Sequence, residues 1–433
     1  MGGFTMTWTT SVLGACVAVM ILASGCSGAA KVTAPLVTRS DEALPPIESV
    51  AIGKNLEFRV NGKAFLPIMS WAQDPKNFKM LRRQGINTFV GNQSNVSAKM
   101  QCDAAREAGG YGVPGFRDKA AEAIGHPHLL AWIHGDEPDN PRKQDDGAFK
   151  PKRSVDEVAA KYREIKSHDP SRPVCVTFTT QFMSQKRGKY DAAMQRKLYP
   201  AFMKSCDIAG FDEYPIYGSS HPNHLNWPAY AVDQLREIAG PKRPIYVWLE
   251  THKGSKWMTY EKQLDVLPKH TRFEVWGVLI RGATAVGYFT HAWRPKFTEF
   301  APTPDMQAEL KRLNGQITRL APAILADPAK TAIKMALAAD GPAAKLECHF
   351  KATDHDGSLW IFAQNMDVGP GAEKLKQFQQ ISPRAGKAAI TVAGLKAGTK
   401  IEVVDEGRSI TAGNGGFTDA FGPLAEHVYR IGK

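Results

Sequence analysis

The chain has 433 residues, enough for two to three domains at roughly 100–200 residues each. With 43% hydrophobic, 23% charged and 9% aromatic residues, the composition is that of a folded globular protein, which excludes disordered, collagen-like and disulfide-dense classes. The net charge of +12 favours anionic surroundings, but the basic residues are dispersed, with no basic stripe interleaved with aromatics, which argues against nucleic acid as a partner.

Residues 12–23 are almost wholly apolar, and the run ends in Leu22-Ala23-Ser24-Gly25-Cys26. It falls short of the ~20 residues a spanning helix needs and reads as a cleaved export segment. Small residues just before a cysteine resemble a bacterial lipoprotein signal, although no Lys or Arg precedes Lys31. On this reading residues 1–26 are the signal segment and residues 27–47, rich in Ala, Thr and Pro, are a linker. The protein is then exported to the bacterial cell envelope, with an acyl chain on Cys26 as its one link to a membrane.

The folded part is expected to start near Glu48. Residues 56–60 and 63–68 flank Asn61-Gly62, a pair that takes the left-handed backbone of a tight hairpin turn. Apolar strand-like runs follow at 65–71, 87–91, 110–114, 129–138, 173–181, 207–215, 244–251 and 285–293. Helical spacing is found at 76–84, 97–108, 155–167, 190–204, 227–239, 260–267 and 272–282. Eight such alternations predict a parallel sheet closed into a (β/α)8 TIM barrel; the first strand lacks the glycine fingerprint of a nucleotide-binding sheet. After a helix at 305–323 the texture becomes short alternating runs (358–364, 388–392, 400–404, 427–431) split by Gly, Asp and Asn, the pattern of an antiparallel β-sandwich. The predicted organisation is α/β: a barrel over 48–325 followed by a sandwich over 326–433. Cys102, Cys175, Cys206 and Cys348 lack C-x-x-C spacing and read as small buried thiols; Cys175 and Cys206 are the one pair near successive strands.

In a closed barrel the reactive groups stand where the strands end. Two runs end on glutamate: the fourth as Trp132-Ile-His-Gly-Asp-Glu137-Pro138 and the seventh as Tyr246-Val-Trp-Leu-Glu250. A carboxyl closing an apolar strand is better placed for chemistry than for packing. Two carboxyls on one pocket suit glycosidic cleavage, one giving its proton to the leaving oxygen while the other attacks the anomeric carbon or activates water.

Together with Asp212-Glu-Tyr214-Pro215 on the sixth run and Tyr288-Phe-Thr-His291-Ala-Trp293 on the eighth, these motifs resemble the retaining clan A glycoside hydrolases over residues ~48–325. The resemblance implies hydrolysis without a cofactor, with Glu137 as acid/base and Glu250 as nucleophile. It further implies that Tyr214 bonds the nucleophile and that Trp293 lies under the sugar. It departs at Asp136, where the clan usually has Asn bonding the substrate 2-hydroxyl; an aspartate there accepts but does not donate, and its charge raises the pKa of Glu137.

Trp71, at the end of the first run, is a second aromatic suited to a pyranose face, and His291 is expected to bond sugar hydroxyls or the carboxylates. Period-two alternation puts Asp212 on the face of Tyr214 and turns Glu213 away toward a basic residue of a helix. The same alternation sets Glu250 with Tyr246 and Trp248, which are large for a barrel interior and would need a bulge near the strand end. His126-Pro-His128 precedes the fourth run and reads as a helix-to-strand turn rather than as metal ligands. Arg142, Lys143, Lys150, Lys152 and Arg153 follow the fourth run and begin a basic rim, which fits an anionic polysaccharide as well as the ordinary surface of a basic protein. The expected partner is a carbohydrate; the alternative is a non-catalytic cell-surface carbohydrate-binding protein on the same barrel.

Overall fold

Parallel pairing runs through eight strands: β1 (Ile68–Trp71), β2 (Thr88–Val90), β3 (Tyr111–Val113), β4 (Trp132–Ile133), β5 (Val174–Thr179), β6 (Ile208–Asp212), β7 (Ile245–Glu250) and β8 (Ala285–Phe289). β8 pairs with β1, and parallel bridges Gly112–Leu129 and Gly115–Ile133 join β3 to β4, so the sheet closes on itself. This computed structural model describes residues 36, 39–186, 188–240, 242–339 and 344–432. The expected signal segment, with Cys26, lies outside the described residues.

The helices between strands are α1 (Phe78–Arg83), α2 (Ala98–Glu107), α3 (Val155–His168), α4 (Ala192–Phe202), α5 (Trp227–Ala239), α6 (Pro268–Ile280) and α7 (Pro304–Ile324), with a short 3-10 turn (Ala120–Ala123) between β3 and β4. Their starts follow local chemistry. Ser97, Asp191 and Thr303 accept from backbone N–H groups of α2, α4 and α7, and Ser154 with Glu157 forms a reciprocal capping box on α3; each satisfies donors that a helix N-terminus leaves unpaired. The helix expected at 260–267 is reduced to a 3-10 turn (Tyr260–Lys262). Gln263 explains the difference: its side-chain oxygen accepts from the N–H of Gly254 and Ser255, and its amide donates to the carbonyls of Ser255 and Met258. Helix α6 instead opens on Pro268, whose fixed φ suits a first helical position.

The barrel floor is filled from below. The strands Phe58–Val60 and Lys63–Phe65 form the expected hairpin, and Phe58, Val60 and Phe65 join Met69, Val90, Tyr111 and Leu130 in one buried cluster. Part of the expected linker belongs here too. Leu36, Leu44 and Ile47 are buried in that cluster, the N–H of Ile47 donates to the Pro127 carbonyl, and the Tyr111 hydroxyl donates to the carbonyl of Pro45. The tether reading of residues 39–47 is therefore corrected by their apolar side chains.

Tyr246 and Trp248 do point into the barrel, and without a bulge: β7 pairs residue for residue with β6 and β8. The room comes from glycine. Gly210 pairs with Tyr246, and Gly287 with Trp248; a Cβ on Gly210 would fall 2.1 Å from the Tyr246 ring, and one on Gly287 would fall 2.3 Å from the Trp248 ring. The Tyr246 hydroxyl and Trp248 indole N–H both meet the Thr177 hydroxyl, at 2.7 and 3.2 Å. Buried polar atoms are thereby satisfied and the barrel centre is closed.

Beyond α7 the chain forms a six-stranded and a four-stranded antiparallel sheet with a core of their own, including Leu337, Ile361, Ile390, Val403, Phe417 and Tyr429. The outer face of the larger sheet packs on the barrel helices. Phe362 stacks on Trp276 of α6 at 6.1 Å, and the Gln364 amide donates to the Phe273 carbonyl at 2.8 Å. Cys102, Cys175 and Cys206 are buried free thiols. His126 and His128 sit in a turn, bonded to Asp103 and to the Gly110 carbonyl.

The glycine–aromatic pairing makes a sharp prediction. Gly287→Ala should destabilise the fold by about 1–3 kcal/mol, the usual cost of overpacking, read as a lower denaturant midpoint. Adding Trp248→Leu should recover part of that loss, and a Gly287→Ala variant as stable as wild type would contradict the packing.

Candidate active site

Three carboxyls converge where β4 and β6 end. β4 stops at Ile133, and Glu137 then takes a left-handed backbone with φ 45°, a conformation that costs about 1–3 kcal/mol for a residue with a side chain. Its N–H donates to the Thr177 carbonyl at 3.1 Å and its carbonyl accepts from the N–H of Asn140 at 3.1 Å, which hold the turn. The turn carries the Glu137 carboxyl to that of Asp212 at the end of β6, close enough to share a hydrogen bond, and Asp136 lies beside them. Burial, and then the Glu137 charge, hold Asp212 well above the ordinary carboxyl range. Asp136 opens into the mouth, yet loss of hydration and the neighbouring Glu137 charge push it up to about 7. Like-charged carboxyls at such range keep a proton between them.

Glu250 does not join this group. Only 1% exposed, its carboxylate accepts from the N–H of Ile216 at 3.0 Å and of Tyr217 at 2.6 Å, both in the loop after β6. Its other partner is the carboxyl of Glu274, on the outer helix α6. Burial raises both groups; because the two backbone donors favour the ionised form at Glu250, Glu274 keeps the proton and donates it to Glu250. The expected meeting of Glu137 and Glu250 across the mouth is therefore corrected: the loop backbone and α6 draw Glu250 away.

Two hollows flank the acidic group. The first, about 540 Å³, is bordered by Trp71, Asn92, Arg117, Asp136 and Lys152; the second, about 470 Å³, by Glu137, Asp212, Tyr214, Lys186, Trp227 and Trp257. Trp71 thus stands at the mouth as expected, its ring edge-on to Trp248 at 5.4 Å. Tyr214 packs on Phe289 at 5.2 Å and faces the acids; it does not bond Glu250, whose donors are the Ile216 and Tyr217 N–H groups and Glu274. Glu213 borders the same hollow as Asp212 instead of turning away, and its partners are Lys186 at 2.7 Å and the Thr180 hydroxyl, in the loop after β5 rather than on a helix.

Among the described residues, neither Glu250, His291 nor Trp293 borders either hollow. His291 is buried beside Gln73, and its carbonyl accepts from the Tyr217 hydroxyl at 3.0 Å. Trp293 is 42% exposed beside Lys256, whose ammonium is 5.1 Å from its ring centroid and also lies over Trp257, a residue of the second hollow.

Two residues that hold Glu137 in place escaped the reading of the sequence. Asn140 donates its side-chain amide to the Glu137 carboxylate. Asp139, fully buried, accepts from the Thr179 N–H and hydroxyl at 2.9 and 2.7 Å and from the Tyr199 hydroxyl at 2.7 Å, while the Tyr190 hydroxyl donates to its carbonyl. It bolts the turn bearing Glu137 to β5 and α4. The signal was the density of polar residues in Asp136-Glu-Pro-Asp-Asn140 directly after a buried strand.

No family model matches the chain, and no curated protein matches it. Solved structures share its fold. An α-amylase from Geobacillus thermoleovorans, complexed with acarbose, is 7% identical, with 85% of this chain and 98% of that one covered at a TM-score of 0.51. A protein described as a glycoside hydrolase is 12% identical, with 92% and 99% covered and a TM-score of 0.52. A family 5 glycoside hydrolase from Bacteroides vulgatus is 10% identical, with 89% and 94% covered and a TM-score of 0.54. At these identities the likeness is one of fold, the barrel with trailing antiparallel sheets.

The buried Glu250–Glu274 pair ties stability to pH. Carboxyls raised above their ordinary value of 4.5 hold protons that the unfolded chain has released. Their contribution is full below that value and is lost as pH rises through the raised ones. Glu274→Gln should therefore reduce the fall in urea midpoint between about pH 5 and about pH 8.5; an unchanged fall would contradict the pairing.

Proposed function

We propose that the chain is a glycoside hydrolase whose reaction is carried by Glu137 and Asp212, rather than by Glu137 and Glu250. The observation that carries this reading is the contact between those two carboxyls at the open end of the barrel, with a hollow on either side. The solved structures of like fold that are glycoside hydrolases, one of them complexed with acarbose, support a carbohydrate as the substrate, lying across both hollows with the scissile bond over the acids.

The roles follow from environment. Asp212, buried and held above the usual range by burial and the Glu137 charge, is the readier of the two to hold a proton and is suited to protonate the leaving oxygen. Glu137, with Asn140 donating to it, is suited to act as the carboxylate that meets the anomeric carbon. Two carboxyls close enough to share a hydrogen bond are nearer to the ~5–5.5 Å separation of retaining pairs than to the ~6.5–9.5 Å that inversion needs for its water, so net retention is the expected outcome once the sugar parts them. Asp136 accepts from a sugar hydroxyl at the same point. On the strength of Leu22-Ala23-Ser24-Gly25-Cys26, we also place the enzyme outside the cytoplasm, held by acylated Cys26.

The burial of Glu250 favours the second reading, a carbohydrate-binding protein without turnover. Kinetics on a glycan panel separate the two. Wild type should hydrolyse at least one glycan and release the product in the substrate's anomeric configuration by proton NMR. Glu137→Gln and Asp212→Asn should each lower kcat by about 10²–10⁴-fold, whereas folded Glu250→Gln should keep most of its activity. Loss of activity in folded Glu250→Gln equal to that in Glu137→Gln would overturn the pair, and binding with no turnover on the whole panel would favour the second reading.

A further inference from the structure

We infer that the first hollow is a binding site for an anionic glycan, with the acidic substituent of one sugar held between Arg117 and Lys152. The assignment takes from the proposed function only that a glycan occupies the barrel mouth.

The lining of this hollow is unequal in charge. It carries four cations, Arg117, Lys152, Arg153 and Lys161, against two carboxyls, Asp136 and Glu157. Two of the cations are neutralised within the protein: Arg153 pairs with Glu157 at 3.2 Å and Lys161 with Glu164 at 2.9 Å.

The other two donate to neutral acceptors. Lys152 gives its ammonium to the main-chain carbonyl of Asp136 at 2.6 Å. Arg117 donates to the carbonyls of Asn92 and Gln93 through a single nitrogen, Nη2. Its Nε and Nη1 meet no protein acceptor among the described residues; they lie on different edges of the guanidinium, so each offers a single charge-assisted hydrogen bond to a carboxylate or sulfate. A backbone carbonyl orients a cation without cancelling its charge, so both side chains are fixed in direction; the Lys152 charge is partly felt by the neighbouring Asp136 carboxyl, and Arg117 has no carboxylate partner among the described residues. The second hollow differs: it is bordered by Glu137, Asp212 and Glu213, with Lys186 already paired to Glu213.

Trp71 supplies the apolar wall. Gly91 also borders the hollow, and a Cβ there would lie 3.3 Å from the Trp71 ring, so glycine leaves that side of the indole uncovered. An indole beside two directed cations fits a pyranose that packs its C–H face on the ring and turns an acidic group to the rim. A uronate carboxylate and a sulfate ester share this chemistry.

Calorimetric titration of the whole protein with an oligogalacturonate, a sulfated oligosaccharide and a neutral oligosaccharide of equal length tests the assignment. Wild type should bind one or both anionic ligands about tenfold or more tightly than the neutral one, and raising the salt should narrow that gap. The ligand that responds identifies the acidic group. Arg117→Gln and, independently, Lys152→Gln on the exposed rim should each weaken anion binding several-fold and neutral binding less, so that the ratio of the two affinities falls. Equal affinity for anionic and neutral ligands, or anion binding that survives in both folded variants, would overturn it. Anion selectivity lost in the variants, without hydrolysis of any glycan by wild type, upholds the site and removes the hydrolase reading; hydrolysis of neutral glycans without anion selectivity does the reverse.

Discussion

Carboxyl groups crowded into a place with little water compete for a proton, and that competition organises the mouth of this barrel. Asp136, Glu137 and Asp212 meet where β4 and β6 end, and full ionisation of all three would set like charges against one another with little solvent to screen them. A retained proton relieves the repulsion. The same proton is what an acid catalyst has to deliver, so the electrostatic constraint and the proposed chemistry are one feature seen from two sides.

Holding those groups together has a structural cost that the surroundings meet. Glu137 adopts a left-handed backbone, and the network of Asp139, Thr179, Tyr190 and Tyr199 over-determines the turn that contains it. Below, Tyr246 and Trp248 occupy the barrel axis against glycines of the neighbouring strands, so the open volume is confined to the C-terminal end, where the acids are. A second pair of carboxyls, Glu250 and Glu274, is treated in the opposite way, sealed behind the loop after β6 with two backbone donors and no access to either hollow.

Much of the fold was legible because parallel strands buried on both faces write themselves as short apolar runs, and all eight runs became strands. Glu137 was legible for a related reason, as an acid closing such a run, whereas Asp212 was placed only on the face of Tyr214, with no part in the chemistry. What decided Glu250 was not local. Its captors are the N–H groups of Ile216 and Tyr217, 34 and 33 residues earlier in the chain, and a carboxyl from α6, and no strand-end pattern records which way a loop's backbone donors will point. Residues 260–267 were misread because helical spacing does not show that Gln263 spends its amide on a loop. The apparent excess of Tyr246 and Trp248 dissolves once register sets Gly210 and Gly287 beside them.

Carbon-13 NMR titration of the side-chain carboxyls tests the central claim most directly. If Asp212 and Glu137 share a proton, the Asp212 carboxyl carbon keeps its protonated shift at neutral pH, and removing its partner in Glu137→Gln alters that titration while Glu250→Gln leaves it in place. An Asp212 that ionises near the ordinary value of 3.8, indifferent to Glu137, would contradict the account.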